Sequence, residues 1–108
     1  MNDQTRLEII QKIARKAIEM TQGKTRESLE SDHMFCLAVT ELLTMMGNAI
    51  ADISTTKQAE LPQIKWMKFL ELRNHIVHTY YDVNLDDVWD TLTKDLKPLI
   101  DELERVLL

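Results

Sequence analysis

The sequence is poor in the residues that build tight turns and cross-links, with only 2 Gly, 2 Pro and 1 Cys among 108 residues. Short strands joined by tight turns need Gly and Pro, so an all-β sandwich or barrel is nearly excluded. The single cysteine, Cys36, excludes an internal disulfide framework and a zinc site built from several cysteines. No run of about 18 apolar residues and no secretory signal pattern is present, so we predict no membrane span and a cytoplasmic location.

Charge is distributed unevenly along the chain. Residues 1–81 carry 10 basic and 10 acidic residues, whereas residues 82–108 carry 3 basic and 8 acidic residues. The net charge of -5 at pH 7 therefore comes from the C-terminal quarter. Tight non-specific binding of nucleic acid depends on neutralising phosphates, which an acidic chain does poorly. A small cationic site within the neutral part remains compatible with this composition.

Hydrophobic residues make up 44% of the sequence, which is enough for the core of a single domain spanning residues 1–108. They recur at intervals of three and four, the period of an amphipathic helix. We predict an all-α fold, an up-down antiparallel bundle of four to five helices, because the connections between the periodic stretches are short. The stretches are Thr5–Thr21, Ser31–Ile53, Pro62 to about residue 78, and Leu85–Leu107.

Several residues mark where these helices begin, end or bend. Gly23 is expected to cap the end of the first helix, and Ser31 or Asp32 the start of the second. Asn84 is expected to cap the fourth helix. Pro98 lacks a backbone donor and clashes with the preceding turn, so we expect the last helix to be kinked near it.

The third predicted helix has an unusually broad apolar surface. Such a helix is either central in a bundle or covered on a second side by a partner. A second copy of the chain would supply that cover, so the pattern favours a homodimer. The apolar residues are Ile64, Trp66, Met67, Phe69, Leu70, Leu72, Ile76 and Val77.

Residues 72–81 concentrate the groups that handle phosphate. Arg73 can hold and neutralise a phosphate, and His78 can move protons near neutral pH. On one helix these two side chains would point about 140° apart, so a shared site needs the helix to end near His78 or a second copy of the segment in a dimer. Asn74 lies four residues before His78 on the same face and could orient its ring.

The segment Arg73-(four residues)-His78-Thr79-Tyr80 matches the R-x4-H-x-Y signature of the HEPN superfamily, and the chain most resembles the HepT-like toxins within it. The resemblance extends over nearly the whole sequence. Besides the leading helix, it includes the second-helix region from Ala38 to Gly47, the approach Pro62–Trp66, the residues Leu72-Arg73-Asn74, and the last-helix start with Asp86, Val88 and Trp89.

The resemblance implies a dimeric all-α protein whose two motif copies meet at one cleft. Active members are metal-independent endoribonucleases that act as the toxin of a toxin–antitoxin pair. The partner is a minimal nucleotidyltransferase, which in some systems transfers AMP to the motif tyrosine. Carried over, Arg73 would stabilise the phosphate, His78 would transfer protons, and Tyr80 would be the modified residue. The resemblance implies no cofactor and no metal.

Simpler interpretations of the same residues remain open. Arg73 could merely pair with Glu71 or a neighbouring helix, and His78 could be a helix-end residue satisfied by the dipole. Tyr80 could be a packing residue, with Tyr81 an equal candidate for either role. His75 and His78 could suit a metal by spacing, but no third ligand is nearby. Cys36 is expected to be a small buried hydrophobe rather than a nucleophile.

Two other functions are compatible with the sequence. The chain could be a non-catalytic helical module that docks a minimal nucleotidyltransferase and presents nucleotide or substrate to it. It could also be a structural dimeric bundle with no nucleotide role. Neither alternative requires Arg73 or His78 to act on RNA.

Overall fold

The chain forms α-helices joined by short connections, as seen in a computed structural model that describes residues 1–78 and 83–107, apart from the side chain of His78. The predicted all-α bundle is confirmed, and no strand occurs in those residues. In chain order the helices are α1 (Asp3–Thr21), α2 (Ser28–Ser31), α3 (His33–Ala51), α4 (Thr55–Glu60), α5 (Trp66–His78), α6 (Leu85–Asp90), a π-helical turn (Thr91–Asp95) and α7 (Leu96–Leu107).

Side-chain caps set the helix starts where the sequence predicts them. Asp32 accepts a hydrogen bond from the backbone N–H of Phe35 at 3.1 Å, which fixes the start of α3. Asn84 accepts from the backbone N–H groups of Asp86 and Asp87 at the start of α6. Gly23 follows α1 with φ of 78°, a backbone conformation that favours glycine. These predicted caps are confirmed.

The third predicted helix begins later than the sequence suggests. A start at Pro62 is wrong, because α5 begins at Trp66. The indole Nε1 of Trp66 donates to the backbone carbonyl oxygens of Gln58 and Leu61, both at 3.1 Å. These bonds satisfy carbonyls at the end of α4 and hold residues 61–65 as a turn, so the helix-starting preference of Pro62 is overridden. The short helices α2 and α4 lie in stretches where the sequence predicts connections.

The predicted fourth helix is divided by the π-helical turn Thr91–Asp95. Pro98 is the third residue of α7, and the carbonyl with which its ring would clash in a regular helix belongs to Lys94, four residues earlier. The wider π turn ends just before this point. Whether the helix axis is kinked near Pro98 stays a prediction.

The core lies between α1, α3, α5 and α7, with α3 in contact with both α1 and α5, and α1 in contact with α7. Side chains from the described helices join in one buried cluster, and Thr91 is buried beside it. Helix α3 therefore packs against α5, the helix that carries Arg73 and His78, as well as against α1. The largest fully buried side chains are Leu7, Ile10, Val39, Leu43, Met46, Ile50, Val88, Leu96 and Leu103.

Helix α3 carries more apolar surface than this core uses. The mean hydropathy of its most apolar 18-residue window is 1.5, and only 33% of that window is buried. By length and composition alone it is the one helix among residues 1–78 and 83–107 that could also cross a membrane, a property that the core helix of a globular fold can share. Part of its apolar surface is therefore left uncovered by the single chain.

Candidate phosphate-binding site

Helices α3 and α5 approach each other closely where Gly47 faces Arg73. A Cβ atom on Gly47 would lie 2.4 Å from Cβ of Arg73 and 2.5 Å from its Cγ. Atoms so close would overlap, so the stem of Arg73 fits only because residue 47 has no side chain. The glycine near the C-terminal end of α3 thereby sets the position of the Arg73 guanidinium.

The guanidinium of Arg73 is held by two amide side chains. Its Nη1 donates to Oδ1 of Asn48 in α3 at 2.7 Å, and its Nε donates to Oδ1 of Asn74 at 2.9 Å. Asn48 directly follows the glycine on which the arginine stem rests. Arg73 is thus fixed at two points, one on its own helix and one on the neighbouring helix.

Both partners of Arg73 are neutral, so they orient its charge without cancelling it. Within the described residues Arg73 forms no ion pair, and no pair with Glu71 is observed. The other half of the simpler interpretation, a contact with a neighbouring helix, is observed in the hydrogen bond to Asn48 of α3. Guanidinium has five N–H donors, and the two amides use only two of them. The remaining donors can bind a planar pair of oxygens, such as those of a phosphate.

Replacing Gly47 by alanine is expected to lower the melting temperature. Alanine alone favours a helix interior by about 1 kcal/mol over glycine. The clash with Arg73 outweighs this gain, because overpacking costs about 1–3 kcal/mol and Cβ of Arg73 cannot move without its backbone. Thermal unfolding followed by circular dichroism measures the effect.

The matched control is Asn48→Ala at the adjacent, exposed position, which removes an amide without creating a clash. We expect this variant to melt no more than a few degrees below the wild type, because it loses one exposed hydrogen bond, worth about 1 kcal/mol, and no packing. A higher melting temperature for Gly47→Ala than for the wild type would contradict the close approach of α3 and α5.

His78 is the last residue of α5, five residues after Arg73. The two residues are therefore about 7.5 Å apart along the helix axis and about 140° apart around it. The side chain of His78 lies outside the described part of the structure, so its meeting with Arg73 stays a prediction. The orientation of the His78 ring by Asn74 likewise stays a prediction. In the structure the side-chain oxygen of Asn74 accepts a hydrogen bond from Arg73.

The predicted modification site also falls outside the described residues. Tyr80 and its alternative Tyr81 belong to residues 79–82, which follow α5 directly in the sequence. Which of the two tyrosines is modified and which is a packing residue therefore stays a prediction from the sequence.

A cavity of about 410 Å³ lies on the side of α5 that faces α6. Asn74 lines this cavity and also contacts Arg73, so the cavity adjoins the arginine site. Cationic, acidic and amide side chains line it, together with the apolar side chain of Leu72. The lining residues are Lys68, Glu71, Leu72, Asn74, His75, Asp87, Asp90 and Thr91. Among residues 1–78 and 83–107, no three His, Cys, Asp or Glu side chains are grouped closely enough to hold a metal ion.

The other reactive side chain considered from the sequence is the thiol of Cys36. It is half-buried against the core, and burial raises its pKa. A nucleophilic cysteine needs the opposite shift, because the thiolate is the reactive form. The structure therefore agrees with a packing role for Cys36.

Exposed apolar side chains lie on the same two helices that the hydrogen bond between Arg73 and Asn48 joins. Apart from Met1, every large hydrophobic residue that is exposed in the described chain lies on α3 or α5. We call this surface the α3–α5 face. Met45 is one turn before Asn48, and Val77 is one turn after Arg73. The residues of the face are Met34, Leu37, Met45, Met67 and Val77.

Comparison with known proteins gives one family and several relatives. The family model described as ribonuclease HepT-like matches residues 10–106. A "Probable ribonuclease HepT" of Thermococcus cleftensis is 27% identical over 96 residues, covering 84% of this chain and 86% of the relative. A "Gamma-glutamylcyclotransferase and putative RNase" of Methanocaldococcus jannaschii is 25% identical over 89 residues.

The second relative is much longer than this chain, which covers only 40% of its length, while the match spans 82% of the chain itself. No solved structure matches the chain. The family match covers most of the sequence and includes the motif residues Arg73 and His78. The chain therefore belongs to the HepT-like ribonuclease family, as its arginine and histidine spacing predicts.

Proposed function

We propose that this chain is a metal-independent endoribonuclease, the toxin of a toxin–antitoxin pair. The observation that carries the proposal is Arg73, whose guanidinium is fixed by the amides of Asn48 and Asn74 and meets no carboxylate among the described residues. In a chain with 18 acidic residues, an oriented and unneutralised arginine is suited to bind an anion. The family match makes the phosphodiester of RNA the natural choice.

The reaction needs a base, an acid and a group that stabilises negative charge. The ribose 2′-oxygen attacks the adjacent phosphorus, its proton passes to a base, and the 5′-oxygen leaves with a proton from an acid. His78 serves in proton transfer, since imidazole titrates near neutral pH. Arg73 donates to the phosphoryl oxygens, where negative charge grows. The products are a 2′,3′-cyclic phosphate and a free 5′-hydroxyl.

A homodimer through the α3–α5 face completes the site in this proposal. Exposed apolar side chains concentrated on two neighbouring helices suit an interaction site, and a two-fold interface pairs the same surface on both copies. The hydrogen bond from Arg73 to Asn48 joins the two helices of this face, with Met45 and Val77 one turn away. Pairing the face with its copy would bring the two Arg73 side chains toward one cleft and bury the uncovered apolar part of α3.

Neutralisation by an antitoxin acts on Tyr80, two residues after the motif histidine. We infer that a minimal nucleotidyltransferase transfers AMP from ATP to the phenol oxygen of Tyr80, releasing pyrophosphate. The adduct would place bulk and negative charge two residues from His78. A phosphate there would compete with RNA for Arg73 and repel the strand. Such a pair would act in the cytoplasm, where its RNA is.

The proposal is tested by RNA cleavage in the presence of EDTA. Purified chain should cut RNA and leave 2′,3′-cyclic phosphate ends, while Arg73→Ala should cut about 10²–10³-fold more slowly, as for other groups that stabilise an oxyanion. Arg15→Ala is the matched control, because Arg15 is exposed on α1 and makes only a loose pair with Glu104 at 3.7 Å. Its cleavage rate should equal that of the wild type.

Cleavage that stops in EDTA, or that Arg73→Ala leaves intact, would contradict a metal-independent arginine site. Absence of cleavage by the wild type, with a stable complex still formed with a nucleotidyltransferase, would favour the non-catalytic docking module.

Modification of Tyr80 is tested by mass spectrometry. After incubation with the nucleotidyltransferase and ATP, the intact mass should rise by one or more AMP groups, and peptide mapping should place them on Tyr80. The Tyr81→Phe variant should be modified as the wild type is, and Tyr80→Phe should not. Modification that follows Tyr81 instead would move the role to the adjacent tyrosine and contradict the assignment.

A further inference from the structure

A second, smaller cavity lies where the start of α5 faces the π-helical turn and α7, with a volume of about 130 Å³. Three lysines line it: Lys65 and Lys68 near the start of α5, and Lys94 in the π turn. We call it the lysine cavity. Its remaining lining residues are Gln63, Ile64, Phe69, Asp95, Pro98 and Leu99.

The ammonium groups of the lysine cavity are only partly neutralised. Lys65 has no ion pair within the described residues. Nζ of Lys68 lies 2.9 Å from Oδ2 of Asp95, an oxygen that is buried, and this interaction raises the pKa of Lys68. Lys94 lies 3.3 Å from the exposed carboxylate of Asp90. The carboxylate of Asp95 thus positions one ammonium, and the cavity keeps a net positive charge.

Residues of the π-helical turn line the lysine cavity opposite those at the start of α5. Lys94 and Asp95 are consecutive residues, and both line the cavity. A π turn contains one more residue than an α turn and changes the direction of the side chains that follow, and such turns occur frequently at functional sites. Here the turn brings an anchoring carboxylate and a second ammonium to face Lys68 of the other helix.

The lysine cavity is joined to the arginine site along α5. Lys68 lines both the lysine cavity and the 410 Å³ cavity, and Asn74 lines the larger cavity and contacts Arg73. Lys68 and Arg73 are five residues apart, so they lie about 7.5 Å apart along the helix axis and about 140° apart around it, and a strand that reaches both must bend around α5. Glu71, Asp87 and Asp90 also line the larger cavity, and their carboxylates repel phosphate there. The lysines are therefore the cationic groups that a strand leaving Arg73 on this side would meet.

We propose that the lysine cavity binds a second phosphodiester of the RNA substrate, on the same strand as the phosphodiester that is cleaved at Arg73. The inference rests on the proposed ribonuclease function and adds to it a second point at which the protein holds its substrate. Lys65, Lys68 and Lys94 neutralise the phosphate, and the cleaved phosphodiester lies at Arg73. A substrate long enough to reach both places binds more tightly than one that reaches Arg73 alone, even though the chain as a whole is acidic.

The binding test uses the salt dependence of affinity for RNA. The probe is a 2′-O-methyl oligonucleotide, which has no free 2′-hydroxyl to attack the phosphate. The double variant Lys65→Gln/Lys94→Gln should bind more weakly, and the slope of log K against log salt concentration should become shallower by about 0.7 for each phosphate that the variant no longer neutralises. The control Lys12→Gln/Lys16→Gln changes the charge equally on exposed positions of α1 and should keep the wild-type slope.

The cleavage test compares substrates of two lengths. The double variant should lose kcat/KM on a long RNA and match the wild type on a dinucleotide, which holds only the cleaved bond. Equal losses on both substrates, or no loss on either, would overturn the assignment. If the wild type binds RNA without cutting it, the proposed ribonuclease function fails. The salt slope then still shows whether the lysine cavity binds a phosphodiester. An unchanged salt slope, with binding of ATP that the double variant loses, would assign the cavity to a free nucleotide and overturn the inference.

Discussion

The variant His78→Ala is expected to lose RNA cleavage by about 10²–10⁴-fold, the usual contribution of a positioned proton-transfer group. The loss should appear in kcat, since the imidazole acts in the reaction and the guanidinium of Arg73 still binds the phosphate. The substitution falls on the last residue of α5, so helicity and melting temperature should change little. Cleavage rates of a defined RNA in EDTA, together with circular dichroism, measure both effects.

His33→Ala provides the control for this loss. His33 is an exposed residue at the start of α3, and its replacement removes an imidazole without touching the motif. Its cleavage rate should stay within a factor of about two of the wild type, because surface substitutions away from a site have small effects. Undiminished cleavage by a folded His78→Ala variant would contradict the role of His78 in proton transfer.

Placing a charge on the α3–α5 face is expected to convert the dimer to monomers and abolish most cleavage. Met45 is 45% exposed in the single chain and lies one turn from Asn48. The variant Met45→Glu would bury an unpaired carboxylate on each side of the interface, at a cost of about 3 kcal/mol or more. That cost corresponds to a dissociation constant raised by about 10²-fold. Light scattering and cleavage assays on the same samples measure the two effects together.

The control for this variant is Ala59→Glu, which adds the same charge at an exposed position of α4, outside the face. It should stay dimeric and active. A wild-type chain that is monomeric at tens of micromolar, or a Met45→Glu variant that cleaves RNA as a monomer, would contradict the shared site. Adding more Met45→Glu protein should partly restore dimers and activity in parallel.

The sequence predicts the long helices well because their signal is local. Apolar residues at helical spacing identify α1, α3, α5 and the α6–α7 region, and short polar side chains identify their starts. The start of α5 is predicted four residues too early, since the bonds from Trp66 to the end of α4 come from tertiary packing rather than local preference. The π-helical turn has no periodic signal of its own, and Pro98 indicates only that a regular helix is disfavoured there.

The sequence proposes Arg73 and His78 as the site residues, but it does not reveal which residues hold Arg73 in place. The spacing of Arg73 and His78 is readable from the sequence, but the partner of Arg73 is not. Asn48 lies 25 residues earlier, and only the register between α3 and α5 brings the two together. A glycine inside the long helix α3 is the one local sign of a close approach at that place. The lysine cavity likewise depends on how α5 faces the π turn.

The most direct test of the shared site is to mix two inactive variants. Arg73→Ala lacks the guanidinium and His78→Ala lacks the imidazole, so each homodimer should be inactive. After subunit exchange, a heterodimer carries one intact Arg73 and one intact His78 from different chains at a single cleft. We predict that RNA cleavage in EDTA reappears in the purified heterodimer. A heterodimer as inactive as its parents would show that the two side chains do not act across the dimer on one phosphodiester.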